Sequence, residues 1–367
     1  MTRARGVRDP VAIRLLFVET SDVWSARARA FFAAADALAR RGSSVAFACP
    51  EKSSLARQAR HLGHPVLPVK FEGSRWQHAR ALRTAIEAHF ADVVFVQDAD
   101  THLAAALALR RAPSGAIVRR VPAGAGFPTD RRTRWADELA PTVYLVTSPS
   151  NQPELSIDLP VVDTVLGVDV PHDAPLSPAY VLSGPHLVCL ASDDEVRPLG
   201  DMLRALRLLA ERHPECRVTV GGIEARRDEC RILAAAIGVA DRVAWTNSDV
   251  AVRSLLRHAS LAWVIADGDA GAFGCLDAMA VGTAVLGRRT RVVSRYLADA
   301  TADQLLPELH PDLVAAATER LLTFSDRREA AVMAGHARAA ADFNERLMVN
   351  GFLEAARLAH ARERKTA

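Results

Sequence analysis

Apolar residues in the first half of the chain fall in short continuous runs, separated by longer stretches with a helical repeat. Ile13–Glu19, Ser44–Cys49, Val66–Val69, Val93–Gln97, Ala116–Arg120 and Val143–Thr147 read as strands, most of them apolar enough to be buried on both faces. Between them, Ala26–Arg41, Ser53–Leu62, Ser74–Phe90 and Thr101–Arg111 read as helices, the first stopped by Gly42. The second half restarts the series. Strands are expected at Leu187–Leu190, Arg217–Val220, Arg242–Trp245, Leu261–Ile265 and Thr283–Leu286. Helices are expected at Leu199–Arg212, Glu224–Ile237, Val250–His258 and Cys275–Val281, and almost everything from Pro311 onward reads as helical.

Strand and helix in alternation predict parallel sheets covered on both faces. The two series meet near Val170–Pro185, so the fold class expected is α/β, with two Rossmann-like domains facing each other across a cleft. The expected division is residues 10–172, a linker at 173–185, a second domain at 186–345, and a final helix at 346–367 packing back on the first domain. Open sheets of this kind bind small molecules at the carboxyl ends of their strands, which places a site between the domains.

Composition narrows the classes. Of 367 residues, 50% are hydrophobic and 24% charged, with a formal net charge of +3, which excludes a disordered chain and a strongly basic nucleic-acid-coating protein. The longest uncharged stretch, Ala174–Ser192, contains Pro175, Pro178, Gly184 and Pro185 and fits a linker rather than a membrane span. The basic N-terminus is not followed by an apolar segment, so no secretory signal is expected. Five cysteines without a C-x-x-C pair point to buried thiols in a reducing, cytoplasmic setting and to no zinc site. The only lysines are Lys52, Lys70 and Lys365, so arginine is the default base and any single arginine carries little signal.

The segment richest in candidate chemistry is Asp267–Thr283, DGDAGAFGCLDAMAVGT, which follows the apolar run LAWVI. Gly268, Gly271 and Gly274 would let a loop backbone approach a ligand before a helix begins. Asp269 in that loop and Asp277 in the first helical turns would accept hydrogen bonds from sugar hydroxyls. Acids near a helix start and glycines in a turn also have a purely structural reading.

This segment resembles the donor motif E-G-F-G-x-x-x-x-E-A-M-A-x-G-T-P of the GT-B retaining glycosyltransferases of family 4. LRALRLLAERHPECRVTVGG, CRILAAAIGVADRVAWTN and LLRHASLAWVIAD are similar to that family's blocks in order and spacing. In the first half, ALARRGSSVAFACP, ADVVFVQDADTHLAAALALR and TVLGVDV are similar to the family's first domain.

The resemblance implies a GT-B fold with an acceptor domain first and a nucleotide-sugar domain second. It implies a glycosyltransferase that moves a sugar from a nucleotide-diphosphate-sugar donor to a glycan, lipid-linked or small-molecule acceptor, with retention and with no essential metal. Asp277 would hold the ribose. Asp269 and the stretch Gly271, Ala272, Phe273 and Gly274 would hold the sugar, and Arg197 the diphosphate, with Asp269 and Arg197 the catalytic candidates. The acceptor would lie against Ser21, Asp22 and Trp24, with His102 nearby.

The functional positions also depart from the family pattern. Ser192 stands where the family carries an arginine, followed by Asp193, Asp194 and Glu195, which read as a solvated loop. Both motif glutamates are aspartates, the first loop has no glycine pair, and Gln97 replaces a histidine. These changes motivate a second reading, a catalytically impaired GT-B-like binding or partner subunit in glycan assembly; an epimerase or phosphorylase ranks third. The loop Arg119–Arg134, basic and carrying Phe127, is a candidate for peripheral contact with an anionic inner-membrane surface, against the alternative of an exposed loop. No nucleic-acid partner is expected. Residues 1–180 carry 22 basic and 18 acidic side chains, and residues 181–367 carry 24 and 25, so the donor half is the less positive one.

Overall fold

The computed structural model describes residues 13–111, 115–147, 159–171, 184–246, 252–298 and 304–366. Apart from Gly184 and Pro185, the expected linker falls outside them.

The first sheet holds seven parallel strands: β1 (Arg14–Val18), β2 (Ser44–Cys49), β3 (Val66–Pro68), β4 (Val93–Val96), β5 (Ala116–Val121), β6 (Thr142–Val146) and β7 (Val161–Asp163). Their order is β3-β2-β1-β4-β5-β6-β7. It is flanked by α1 (Ala26–Arg40), α2 (Ser54–His61), α3 (Arg75–His89), α4 (Ala99–Leu109) and α5 (Arg131–Leu139). The strands run apolar on both faces because helices cover both. Phe17 of β1, for example, stacks on Phe95 of β4 with centroids 4.5 Å apart.

The second sheet holds six parallel strands: β8 (His186–Leu190), β9 (Arg217–Gly221), β10 (Val243–Trp245), β11 (Leu261–Val264), β12 (Val285–Arg288) and β13 (Leu305–Leu306). Their order is β10-β9-β8-β11-β12-β13. Around it lie α6 (Val196–Arg212), α7 (Arg227–Ile237), α8 (Val252–Leu256), α9 (Gly268–Ala280), α10 (Arg291–Leu297), α11 (Pro311–Thr323) and α12 (Ser325–Asp342). Each sheet reverses its winding once, between β1 and β4 and between β8 and β11, and such switch points open the crevices where ligands bind.

The last helix, α13 (Glu345–Thr366), packs on β5, β6 and α1 of the first domain. Phe352 sits 5.7 Å from Phe95 and 6.3 Å from Phe31 by ring centroid. The return crossing runs beside the segment after β7. The amide of Val168 donates to Phe343 O at 3.0 Å, and the amide of Glu345 donates to Val168 O at 2.9 Å.

The structure alters the element reading mainly at α9. This helix begins at Gly268, seven residues before the expected start, so Asp269 lies in its first turn and not in a loop. α5, β7, α10 and β13 are further elements that the apolar pattern of the sequence does not mark. α5 is polar and Arg-rich, and the two strands are only three and two residues long, too short for a periodic signal.

Candidate active site

The carboxyl ends of β1, β4 and β5 place Glu19, Gln97 and Arg120 together. The side-chain amide of Gln97 donates to Glu19 and, at 3.2 Å, to Arg27 O; its oxygen accepts from Arg120 Nη1 at 2.7 Å. Glu19 is buried there, and burial pushes its carboxyl up to about 7, against the opposing pull of Gln97 and Arg120.

Arg120 then crosses to the second domain. Its Nη1 and Nη2 each donate at 2.8 Å to Asp269, on the first turn of α9, and the amide of Ala123 donates to the same carboxylate at 2.8 Å. Both side chains are buried. Arg120 Nε is the remaining buried donor, with no hydrogen-bond partner among the described residues. The backbone approaches closely here. A Cβ on Gly124 would stand 3.4 Å from Gly268 Cα, so the loop after β5 lies over the start of α9.

Two turns along α9, Asp277 holds a second crossing. Arg29, near the start of α1, donates from Nη1 at 2.5 Å and from Nη2 at 2.7 Å, with its guanidinium 4.2 Å from the centre of the Phe273 ring. Arg253 of α8 adds Nε at 2.8 Å and also donates from Nη1 to Asp169 O at 2.9 Å. Burial would raise the Asp277 carboxyl, but Arg29 and Arg253 outweigh it and hold it below the ordinary aspartate range.

The expected diphosphate rim differs from the sequence reading. Asp193–Glu195 forms a 3-10 turn in place of a solvated loop, and only Asp194 of the three is exposed. Glu195 is buried and accepts from the amide of Ser192 at 3.1 Å, from the Ser192 hydroxyl, and from the amide of Asp267 at 3.3 Å. Asp193 accepts from the amides of Glu224 at 3.0 Å, Ala225 at 3.3 Å and Arg226 at 3.2 Å. Asp193 and Glu195 therefore occupy backbone donors at this edge. Arg197 is exposed on the first turn of α6.

The motif glycines serve packing. A Cβ on Gly271 would stand 2.3 Å from Ala266 O, and one on Gly274 would stand 3.2 Å from Leu190 Cδ1 and 3.3 Å from Val264 Cγ1. They seat α9 against β8 and β11, which corrects the expectation that their backbone lies open to a ligand. Ala272 is buried in the core, and Phe273 lies beneath Arg29.

On the proposed acceptor side, Ser21 caps its own turn through Val23, and the backbone oxygen of Asp22 accepts from Ser54. Trp24 packs on Phe32 at 5.1 Å. His102 is fully buried in α4, against Thr142 Oγ1 and Arg119 Nη1, each at 3.1 Å. Burial, then Arg119, pushes its pKa down to about 3, so the ring is neutral. Arg119 and Arg120 are successive strand residues and face opposite sides of β5, so His102 lies away from the Arg120 face and does not join the acceptor group. The basic loop also contracts. Arg119 and Arg120 are buried, and Phe127 packs on Tyr144 at 4.8 Å, leaving Arg131, Arg132 and Arg134 exposed.

Arg29, Arg120, Arg253 and Glu19 were not singled out from sequence, because arginine is the commonest base and Glu19 ends an ordinary strand. Among the described residues, no cluster of three or more His, Cys, Asp or Glu could hold a metal ion, and no helix is long and apolar enough to cross a membrane.

Two parallel-sheet domains meeting through the carboxyl edges of their strands define the GT-B fold. Residues 185–338, essentially the second domain, match the family model for glycosyl transferases group 1, and the enzyme class is accordingly glycosyltransferase. Solved structures agree on the fold along nearly the whole chain. A glycosyltransferase from Rickettsia africae superposes with a TM-score of 0.75 at 12% identity, covering 95% of this chain and 99% of that one. Anabaena HepE in complex with UDP-glucose gives 0.75 at 13% identity, covering 93% and 98%. A putative UDP-N-acetylglucosamine 2-epimerase from Listeria monocytogenes gives 0.64 at 15% identity, covering 94% and 95%. No curated protein matches the sequence significantly.

Proposed function

We propose that the protein transfers a sugar from a nucleotide-diphosphate-sugar donor to a glycan, lipid-linked or small-molecule acceptor, with retention of anomeric configuration and without an essential metal. The observation that carries this reading is the pair Asp269 and Asp277. They lie two turns apart on the helix that opens the second domain's switch-point crevice, inside the matched region 185–338. Asp277 would hold the ribose hydroxyls and Asp269 the sugar, as carboxylates accept from paired hydroxyls. Neighbours such as HepE were solved with UDP and glucose, which supports a nucleotide-sugar donor. The exposed arginines Arg131, Arg132 and Arg134 support at most a weak electrostatic contact with an anionic membrane.

One observation favours a second reading, a binding or partner subunit of glycan assembly. Both carboxylates are already paired to arginines, and Asp193 and Glu195 fill amides at the crevice rim. Titration with UDP, GDP and their sugars separates the two. A ligand at 100 times its dissociation constant adds about 2.7 kcal/mol of stability, and Asp277→Ala should abolish that gain. Binding with sugar transfer supports the enzyme; binding without hydrolysis or transfer supports the partner subunit. A wild-type protein that binds no nucleotide refutes the donor site.

A further inference from the structure

The two interdomain crossings differ in charge balance. Arg120 meets Asp269 one to one, and both are enclosed. At the other crossing, Arg29 and Arg253 share the single carboxylate of Asp277. That cluster therefore carries one positive charge in excess. It is also the accessible one, since the side chains of Arg29 and Arg253 are 28% and 30% exposed while Asp277 is 2% exposed. The ring of Phe273 beneath Arg29 fixes the plane of its guanidinium. At the rim of the second sheet Ser192 brings no charge, and Glu195 and Asp193 occupy the backbone amides.

We propose that Arg29 of the first domain, with Arg253 of the second, binds the anionic diphosphate of the donor. This rests on the donor-site reading above. The three N–H groups now on Asp277 use about three of the roughly four acceptor positions of a carboxylate. One position remains for a ribose hydroxyl while the guanidiniums keep donors for phosphate. Guanidinium forks match phosphate geometry, and the excess charge lets the anion bind without breaking the pair with Asp277. The binding cation thus comes from the acceptor domain, so diphosphate recognition requires the two domains to be together.

The test compares UDP and GDP with uridine and guanosine, by calorimetry and by competition, on the full chain. Arg29→Gln should weaken the diphosphates by about 10- to 100-fold, the equivalent of one charge-assisted hydrogen bond, and leave the nucleosides unchanged. Arg29→Lys, which keeps the charge but not the fork, should recover part of the loss. Arg253→Gln reports the same quantity independently should Arg29→Gln fail to fold. Unchanged or tighter diphosphate binding in the variants overturns the inference, as does an equal loss for nucleosides. If the wild-type protein binds nucleotides and the variants do not discriminate, only this inference falls. If the wild type binds neither UDP nor GDP, the donor reading falls with it.

Discussion

Arg120 and Asp269, 149 residues apart in sequence, form a two-pronged ion pair at 2.8 Å that joins the two domains in a buried setting. Its removal from one side leaves an unpaired charge in a site that excludes water. Arg120→Met should therefore destabilise the protein by about 3–5 kcal/mol. The double variant Arg120→Met with Asp269→Leu should recover part of that loss, because no orphaned charge remains. Urea unfolding of the four members of the cycle measures the coupling. A single-variant loss below about 1 kcal/mol would show that the pair does not hold the domains.

Glu19 gives a pH dependence of known sign. Its folded carboxyl lies at about 7, above the ordinary value of 4.5, so the native state binds the proton more tightly than the unfolded chain. Its contribution is full below about 4.5 and is lost as pH rises toward 7. Glu19→Gln keeps a neutral side chain at the Gln97 contact and removes this slope. Relative to the wild type, the variant should gain roughly 2–3 kcal/mol between those limits, from 1.36 kcal/mol per unit. Parallel stability curves for the two proteins across that range would refute the assignment.

His102 acts in the opposite sense. Its pKa of about 3 lies below the ordinary 6.5, so the unfolded chain takes up the proton first and stability falls as pH drops below 6.5. Its ring resonances should stay flat between pH 5 and 8. His102→Leu should cost about 1–3 kcal/mol by removing one buried partner each from Thr142 and Arg119, which keep Ala140 O and Thr133, and should leave nucleotide affinity intact. A loss of affinity without a loss of stability would place His102 in the site after all.

The architecture was legible because buried parallel strands write continuous apolar runs. Ser44–Cys49 matches β2 residue for residue, and Ala26–Arg41 overruns α1 by one. Local propensity opposes a helix through Gly268, Gly271 and Gly274, so α9 is hidden in the sequence; in the fold Gly271 has no room for a Cβ against Ala266 O, and Gly274 sits close against Leu190 and Val264. Asp269 and Asp277 could be found, since a spaced motif carries them. Their partners could not. Arg29 and Arg120 are two arginines among many, and their roles arise from contacts 248 and 149 residues away along the chain. The acidic trio misled for the same reason. Asp193 and Glu195 read as solvated charges until the amides of Glu224–Arg226 and Asp267 come beside them.

The return of α13 to the first sheet has a consequence for biosynthesis. The last helix of the second domain, α12, and the Phe343 ring that packs on Tyr296 have been made while the first domain still lacks Phe352 against Phe31 and Phe95. Of the two domains, the one made first is thus finished last, and its core stays open on one side until α13 emerges.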